Sequence, residues 1–213
     1  MIDKNSIREP KQQRAKEKKA AIVQAGYALF CEKGYHQTNT AEIAKRAGVS
    51  TGIIYSYFSD KHDILLAVVQ RYIEQLEKML RDALMVLPET LSLTQLFVAV
   101  IDAVRASHTM QPQAHTMFLA LALTDDDLRA RFDELEVRML AAVEDVCNKA
   151  GITRSLMQER LRLAYGLIEQ LCHDAVWMEA DEAQFAEMRE IAMTALVGLF
   201  AETKEKEVRT CNQ

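Results

Sequence analysis

The chain has 213 residues, with 26 Lys or Arg against 31 Asp or Glu, a formal net charge of −5, only seven Gly and three Pro. So few helix breakers, beside plentiful Leu, Ala, Glu, Met, Arg and Lys, predict an all-α chain long enough to bury a sizeable core. No apolar run reaches bilayer-spanning length, and MIDKNSIREPKQQR is not a signal peptide. Cys31, Cys147, Cys172 and Cys211 are scattered without a CxxC pair, which argues against a disulfide framework or structural zinc and predicts a reducing, cytoplasmic setting.

In chain order, residues 1–10 are polar and end in Pro10, and a disordered tail is expected there. Lys11 to Lys33 predicts a helix whose first half, KQQRAKEKK, is charged and whose second half carries a stripe of Ile22, Ala25, Leu29 and Phe30. Gly34 stops it. The stretch from Asn39 to Lys61, NTAEIAKRAGVSTGIIYSYFSDK, reads as two short helices joined by a tight turn. Asn39 and Glu42 form a capping box, Ile43, Ala44 and Ala47 give an apolar stripe, and Gly48 takes the left-handed conformation that ends a helix. Val49 fills the turn and Ser50 caps a second helix, Thr51 to Phe58, with Ile54, Tyr57 and Phe58 inward. Ala44 and Gly48 form the small-residue pair that a steep helix crossing needs.

Ser59 or Asp60 caps a long helix from Lys61 to about Met85, with Ile64, Leu65, Val68, Val69, Tyr72, Ile73, Leu76, Met79, Leu80 and Leu84 inward, and Pro88 marks the exit. Ser92 with Gln95 is a second capping box, opening a helix to about Ala106. A break over His108 to Pro112 precedes a helix to about Leu123. Thr124-Asp125-Asp126-Asp127 reads as a cap for the next helix, to Ala150, rather than a metal loop, because Arg129 and Arg131 follow instead of further ligands. Ser155 with Gln158 is a third box, for a helix through Glu179, and a last helix covers Glu182 to Thr203. Both final helices are apolar on more than one face. Leu161, Ala164, Ile168, Leu171, Ala175, Met188, Ala192, Ala195 and Leu199 are the candidates for a two-fold, four-helix homodimer interface; burial in a monomeric core is the alternative.

The charge is uneven along the chain. Residues 1–61 hold 11 Lys or Arg against 6 Asp or Glu, and residues 62–213 hold 15 against 25. A basic head on an acidic body suits a polyphosphate partner at one end, although a solubilising basic tail gives the same numbers. There is no glycine-rich phosphate loop, no HExxH and no catalytic constellation, so neither an enzyme nor a cofactor is expected. Glu169 and His173 lie four apart with Cys172 beside them, which is read as a polar pair, and no metal is expected.

From Lys19 to Leu65 the chain resembles the DNA-binding domain of tetracycline-repressor (TetR) family regulators. The matching residues are Ala25, Leu29-Phe30, Gly34-Tyr35, Thr38, Thr40, Ile43-Ala44, Ala47-Gly48-Val49-Ser50, Gly52, Tyr55, Tyr57-Phe58 and Lys61. The resemblance implies a helix-turn-helix domain over 11–60, a helical ligand-binding and dimerisation domain over 61–204, and a C-terminal tail over 205–213. It implies that Thr40, Ser50, Tyr55 and Lys61 meet phosphates, and that Thr51, Gly52, Ile53, Ser56 and Tyr57 lie at or beside base-reading positions. Thr51 stands where the family often has Lys or Arg, Tyr57 where it often has His, and Ile53 where a polar side chain is common, so base preference is left open. It also implies an effector pocket in the body, with Phe97, Ile101, His108, Met110, Met117, Phe118, Leu121, Tyr165, Glu169, His173 and Trp177 as candidates, whose methionines suit an apolar or aromatic ligand. The expected function is a homodimeric repressor that binds a palindromic operator on double-stranded DNA through the major groove and is released by a small-molecule effector, with no membrane partner. The alternatives are an activator or effector-independent regulator, or a helical enzyme or protein-binding adaptor with a vestigial head.

Overall fold

Helix begins earlier than the polar N-terminus suggests. The structure is a computed structural model that describes the backbone over residues 8–201 and side chains over 12–201. The first helix, α1, spans Arg8–Lys33, so residues 8–10 are helical rather than a tail. Pro10 is compatible with this because the first-turn N–H groups of a helix have no intrahelical acceptor. The expectations for residues 1–7, for the tail over 205–213 and for Cys211 lie outside the described residues.

Eight further helices follow among the described residues: α2 Thr40–Ala47, α3 Thr51–Ile54, α4 Lys61–Met85, α5 Leu93–Met110, α6 Pro112–Ala122, α7 Asp126–Lys149, α8 Met157–Trp177 and α9 Glu182–Leu199. No strand occurs among the described residues, and no helix there is long and apolar enough to cross a membrane. The chain divides into two compact units, one of residues 1–78 and 111–136, the other of residues 79–110 and 137–213. This division does not fall at the 60/61 boundary read from the sequence, since α4 and α7 each contribute to both units.

In the first unit, Ile22, Ala25, Leu29 and Phe30 of α1 are buried with Ile43 and Ile54, and with Ile64, Leu65, Val68 and Tyr72 of α4. Tyr27 and Tyr72 both pack against the fully buried Phe118 of α6, with ring centroids 6.4 and 5.2 Å apart. Gly26 marks the tightest approach: a Cβ there would stand 2.9 Å from Ile64 Cγ2. In the second unit α5, α8 and α9 pack on one another around Leu96, Phe97, Ile101, Leu161, Cys172, Leu196 and Phe200. Arg105 joins α5 to α9 by a forked pair of hydrogen bonds to Glu182, 2.7 and 2.9 Å, and lies 3.8 Å over the Phe185 ring.

The caps show where local sequence decides and where it does not. Ser92 and Gln95 form the expected box, with Ser92 N–H donating to Gln95 Oε1 at 2.8 Å and Gln95 N–H to Ser92 Oγ at 3.3 Å. The break before α6 is shorter than expected: α5 runs through His108 to Met110, and only Gln111 separates it from Pro112. The Ser155–Gln158 box does not form. Leu156 turns left-handed at φ 54° immediately before α8, and Gln158 instead donates to Glu144. The box that does form opens α9, where Gln184 N–H donates to Asp181 Oδ1 at 2.9 Å and Asp181 N–H to Gln184 Oε1 at 3.0 Å. Asp125 caps α7 as expected, accepting from Leu128 N–H at 3.1 Å. Its other oxygen accepts from the His62 ring at 2.8 Å.

Candidate nucleic-acid interface

The turn between α2 and α3 is built by two local devices. Asn39 Oδ1 accepts from Glu42 N–H at 3.0 Å, and Glu42 Oε2 accepts from Asn39 N–H at 3.1 Å, closing the predicted capping box at the start of α2. Lys33 pairs with the remaining Glu42 oxygen, and this, with the backbone bond from Asn39, holds the carboxyl below its ordinary range. At the other end Gly48 sits at φ 68°, and Val49 N–H reaches back to the Ala44 carbonyl at 3.0 Å. A Cβ on Gly48 would meet nothing within 4 Å, so this glycine serves the backbone angle. The small-residue pair inferred from the sequence is therefore half right: Ala44 is buried by the crossing, and Gly48 is not.

The second helix is shorter than expected. α3 holds regular geometry only from Thr51 to Ile54, because Ser56 and Tyr57 donate three residues back, to Ile53 at 3.2 Å and Ile54 at 2.9 Å, and tighten the chain. Ser50 occupies the N-cap position, but its side chain accepts no cap hydrogen bond. Ile54 and Phe58 are buried and anchor the segment, while Ile53 and Tyr57 are half-buried.

What remains is a ledge. Ser50, Thr51, Gly52, Tyr55 and Ser56 are exposed, and Thr40 at the start of α2 is half-buried beside them. The Tyr55 ring is 58% exposed, too open for a packing role, and its hydroxyl is 3.2 Å from Thr40 Oγ1, which ties the ledge to α2. Ser56 Oγ donates to the Gly52 carbonyl at 3.0 Å. Nothing but Ser50 Oγ, at 3.9 Å, lies near the missing Cβ of Gly52, so a partner's backbone can approach closely there.

Lys61 is placed differently from its neighbours in the sequence-based set. Its ammonium donates to the carbonyls of Tyr35 and Thr38, each at 2.9 Å, and stands 4.2 Å over the Tyr35 ring. Burial lowers its pKa. It bolts the first turn of α4 to the α1–α2 loop. Thr38 completes that loop from inside: it is 2% exposed, and its hydroxyl donates to the Gly34 carbonyl at 2.9 Å.

An α-helical head whose second short helix presents small and hydroxyl side chains on a rigid ledge is the geometry of a helix-turn-helix reader of the DNA major groove. The protein is a DNA-binding transcriptional regulator. Residues 22–68 match the family model for bacterial regulatory proteins of the tetR family. It is similar to the HTH-type transcriptional regulator HbdR of Aromatoleum sp. (strain CIB), with 27% identity over 212 residues, which is 95% of this chain and 88% of that protein. Against the HTH-type transcriptional activator FasR of Mycolicibacterium smegmatis it is 40% identical over 68 residues, 32% of this chain, and spans only 31% of that protein. The crystal structure of a transcriptional regulator from Rhodococcus sp. Rha1 shares the fold, with a TM-score of 0.67 at 18% identity, covering 84% of this chain and 96% of that one.

The candidates in the body are drawn from both units. Met117, Phe118 and Leu121 lie on α6 in the first unit, and Phe118 is core. In the second unit Ile101 is core, Phe97 and Tyr165 line a gap of about 30 Å³, and Met110 and Trp177 are exposed. His108, Glu169 and His173 form a polar cluster; His108 is buried and lies 3.2 Å from Glu169. Among the interface candidates, Leu161, Ala164, Ile168, Leu171, Ala175 and Ala192 are buried within the chain itself, and Met188, Ala195 and Leu199 are partly or fully open. The first six fill the core of the second unit, so they are not the surface offered to another chain. The open large apolar residues on these helices are Leu163, Trp177 and Ile191, 62%, 67% and 75% exposed, with Val197. Periodicity identified the apolar positions but not which of them a neighbouring helix covers.

Proposed function

We propose that the protein acts as a homodimer that represses by binding a palindromic operator, with α3 of each copy in the major groove, and that it is released by a small apolar effector. The observation that carries this reading is the ledge: Ser50, Thr51, Gly52, Tyr55 and Ser56 are open on a segment pinned from behind by Ile54 and Phe58. Thr51, Gly52 and Ser56, with Ile53 and Tyr57 at the margins, sit where base edges are read, and Thr40, Ser50 and Tyr55 where phosphates are met. Lys61 acts by holding the head together. The second copy docks on the open side of α8 and α9, around Leu163, Ile191, Ala195 and Val197, where Gly166 and Gly198 have no atom within 4 Å of a Cβ position and allow close helix approach. The effector enters between α5, α7 and α8 at the gap beside Phe97, Val104, Met139 and Tyr165. About 30 Å³ holds about two waters, so binding requires that gap to widen, and a ligand that prefers the widened state shifts the population away from DNA.

The test is a titration of the protein against its own upstream DNA at several salt concentrations. A protected palindrome with a steep salt slope supports the reading. Binding no tighter than to random DNA, together with failure to enrich any sequence from a random pool, would refute it. Leu163→Glu with Ile191→Glu should convert a dimer to a monomer in sedimentation. Deleting the gene should raise expression from the bound promoter, whereas a fall would mean activation.

A further inference from the structure

The second unit gathers three metal-ligating side chains on two helices, outside the DNA-binding ledge. His108 lies in the last turn of α5 and is 2% exposed. Glu169 and His173 are four residues apart on α8 and so share a face. The donor atoms of all three lie within 4.8 Å of one another, and His108 Nε2 is 3.2 Å from Glu169 Oε2. The His173 ring stands edge-on to His108, centroids 4.8 Å apart, and stacks on Trp177 at 5.6 Å and 19°.

The hydrogen on His108 can be assigned. Its Nδ1 is 2.9 Å from the Val104 carbonyl oxygen, which can only accept, so Nδ1 carries the hydrogen. In the neutral ring Nε2 is then a lone pair facing a carboxylate oxygen. Two acceptors at 3.2 Å repel unless a cation stands between them. A proton does this for that one pair; a divalent ion does it for all three donors at once. With metal–nitrogen and metal–oxygen bonds of about 2.0–2.2 Å, neighbouring donors on a tetrahedral ion stand about 3.3 Å apart. The observed separation matches. A backbone carbonyl on the far nitrogen is also how protein ligands fix the orientation and basicity of a metal-bound imidazole.

We propose that His108, Glu169 and His173 bind a divalent transition ion of borderline softness, such as Zn(II), Co(II) or Ni(II), across α5 and α8. Two imidazoles and one carboxylate favour these ions over Mg(II) or Ca(II), which take oxygen ligands. The site reassigns these residues from the wall of an apolar effector pocket to an ion that ties α5 to α8. It does not depend on the DNA reading, because it is measured without DNA.

The experiment is a Co(II) titration of the full-length, chelator-treated protein, read by visible absorption, with the shift in Tm as a second signal. The expected result is a one-to-one visible band that Zn(II) bleaches, and a higher Tm. His173→Ala and Glu169→Gln, each with an unchanged far-ultraviolet dichroism spectrum, should each lose at least about tenfold in affinity. His62→Ala, which disrupts the separate His62, Asp125 and Asp127 group, should bind as the parent does. No band with about 0.1 mM Co(II), a dissociation constant weaker than about 6 kcal/mol of binding would give, overturns the proposal. So does a band that survives both α8 variants or disappears with His62→Ala.

Discussion

The Lys61 ammonium lies 4.2 Å above the Tyr35 ring while donating to the Tyr35 carbonyl at 2.9 Å, so one side chain holds both the ring and the backbone of a single residue in the α1–α2 loop. A third contact, to Thr38 O, completes the grip. Replacing it with Lys61→Met keeps most of the stem and removes all three donors. We expect a loss of about 2 kcal/mol in stability, because hydrogen bonds from a charged group are worth roughly 1.5–3 kcal/mol. DNA affinity should fall with the folded fraction and the salt slope should stay as it was. A slope shallower by about one unit would instead mean that Lys61 meets a phosphate. Denaturant titration beside a salt series separates the two.

Tyr55 is the opposite case, a side chain on the surface with one internal bond, to Thr40. Tyr55→Phe removes only the hydroxyl. Stability should change by less than about 1 kcal/mol, since the bond is solvent-exposed, whereas operator affinity should fall several-fold at constant salt. A variant that binds operator as tightly as the parent would remove Tyr55 from the interface.

Gly26 is held to its size by Ile64. Gly26→Ala places a methyl 2.9 Å from Ile64 Cγ2, inside van der Waals contact with a fully buried branch. Overpacking of this kind costs about 1–3 kcal/mol, partly offset by about 1 kcal/mol of better helix propensity. The sign should therefore be destabilising, and the double variant with Ile64→Ala should be more stable than the two single effects added together. Additivity would show that Ile64 is not the obstacle.

Asp125 links stability to pH. Burial raises its pKa, but the Leu128 N–H, the His62 ring and the Asp127 N–H together more than offset this, and the net shift is downward. A carboxyl depressed in the folded state contributes stability that is present above its unfolded pKa, about 3.9, and lost as pH falls through the lower folded value. Acid unfolding of the parent should therefore include this group below about pH 4, and Asp125→Asn should make the curve flatter there. An unchanged acid limb in the variant would show that Asp125 adds nothing to it.

What the sequence disclosed was what is local. Asn39 with Glu42 and Ser92 with Gln95 are spaced to cap, and they do. Tyr55, set at the DNA side only by the family resemblance, is exposed beside the buried Ile54. The grip of Lys61 was not legible, because its acceptors are backbone carbonyls 26 and 23 residues earlier, and a carbonyl leaves no trace in a side-chain pattern. The Ser155–Gln158 spacing misled for a similar reason: Glu144, 14 residues away, draws Gln158 off. On α8, Leu161 and Leu163 are equally apolar, and only the packing of α5 and α9 decides that the first is covered and the second is open. The His108 cluster was half visible, as Glu169 and His173 on one helix face; its third member comes from another helix.

Gly34, Gly48 and Gly151 end α1, α2 and α7 at positive φ, as glycine readily does. α8 has no such relief. Leu156 precedes it at φ 54° and Glu179 follows it at φ 51°, each in a conformation that costs a side-chain-bearing residue about 1 kcal/mol or more. The protein therefore carries an unused margin of thermal robustness at both ends of a single helix. Leu156→Gly and Glu179→Gly are the cheapest routes to a longer-lived molecule at high temperature.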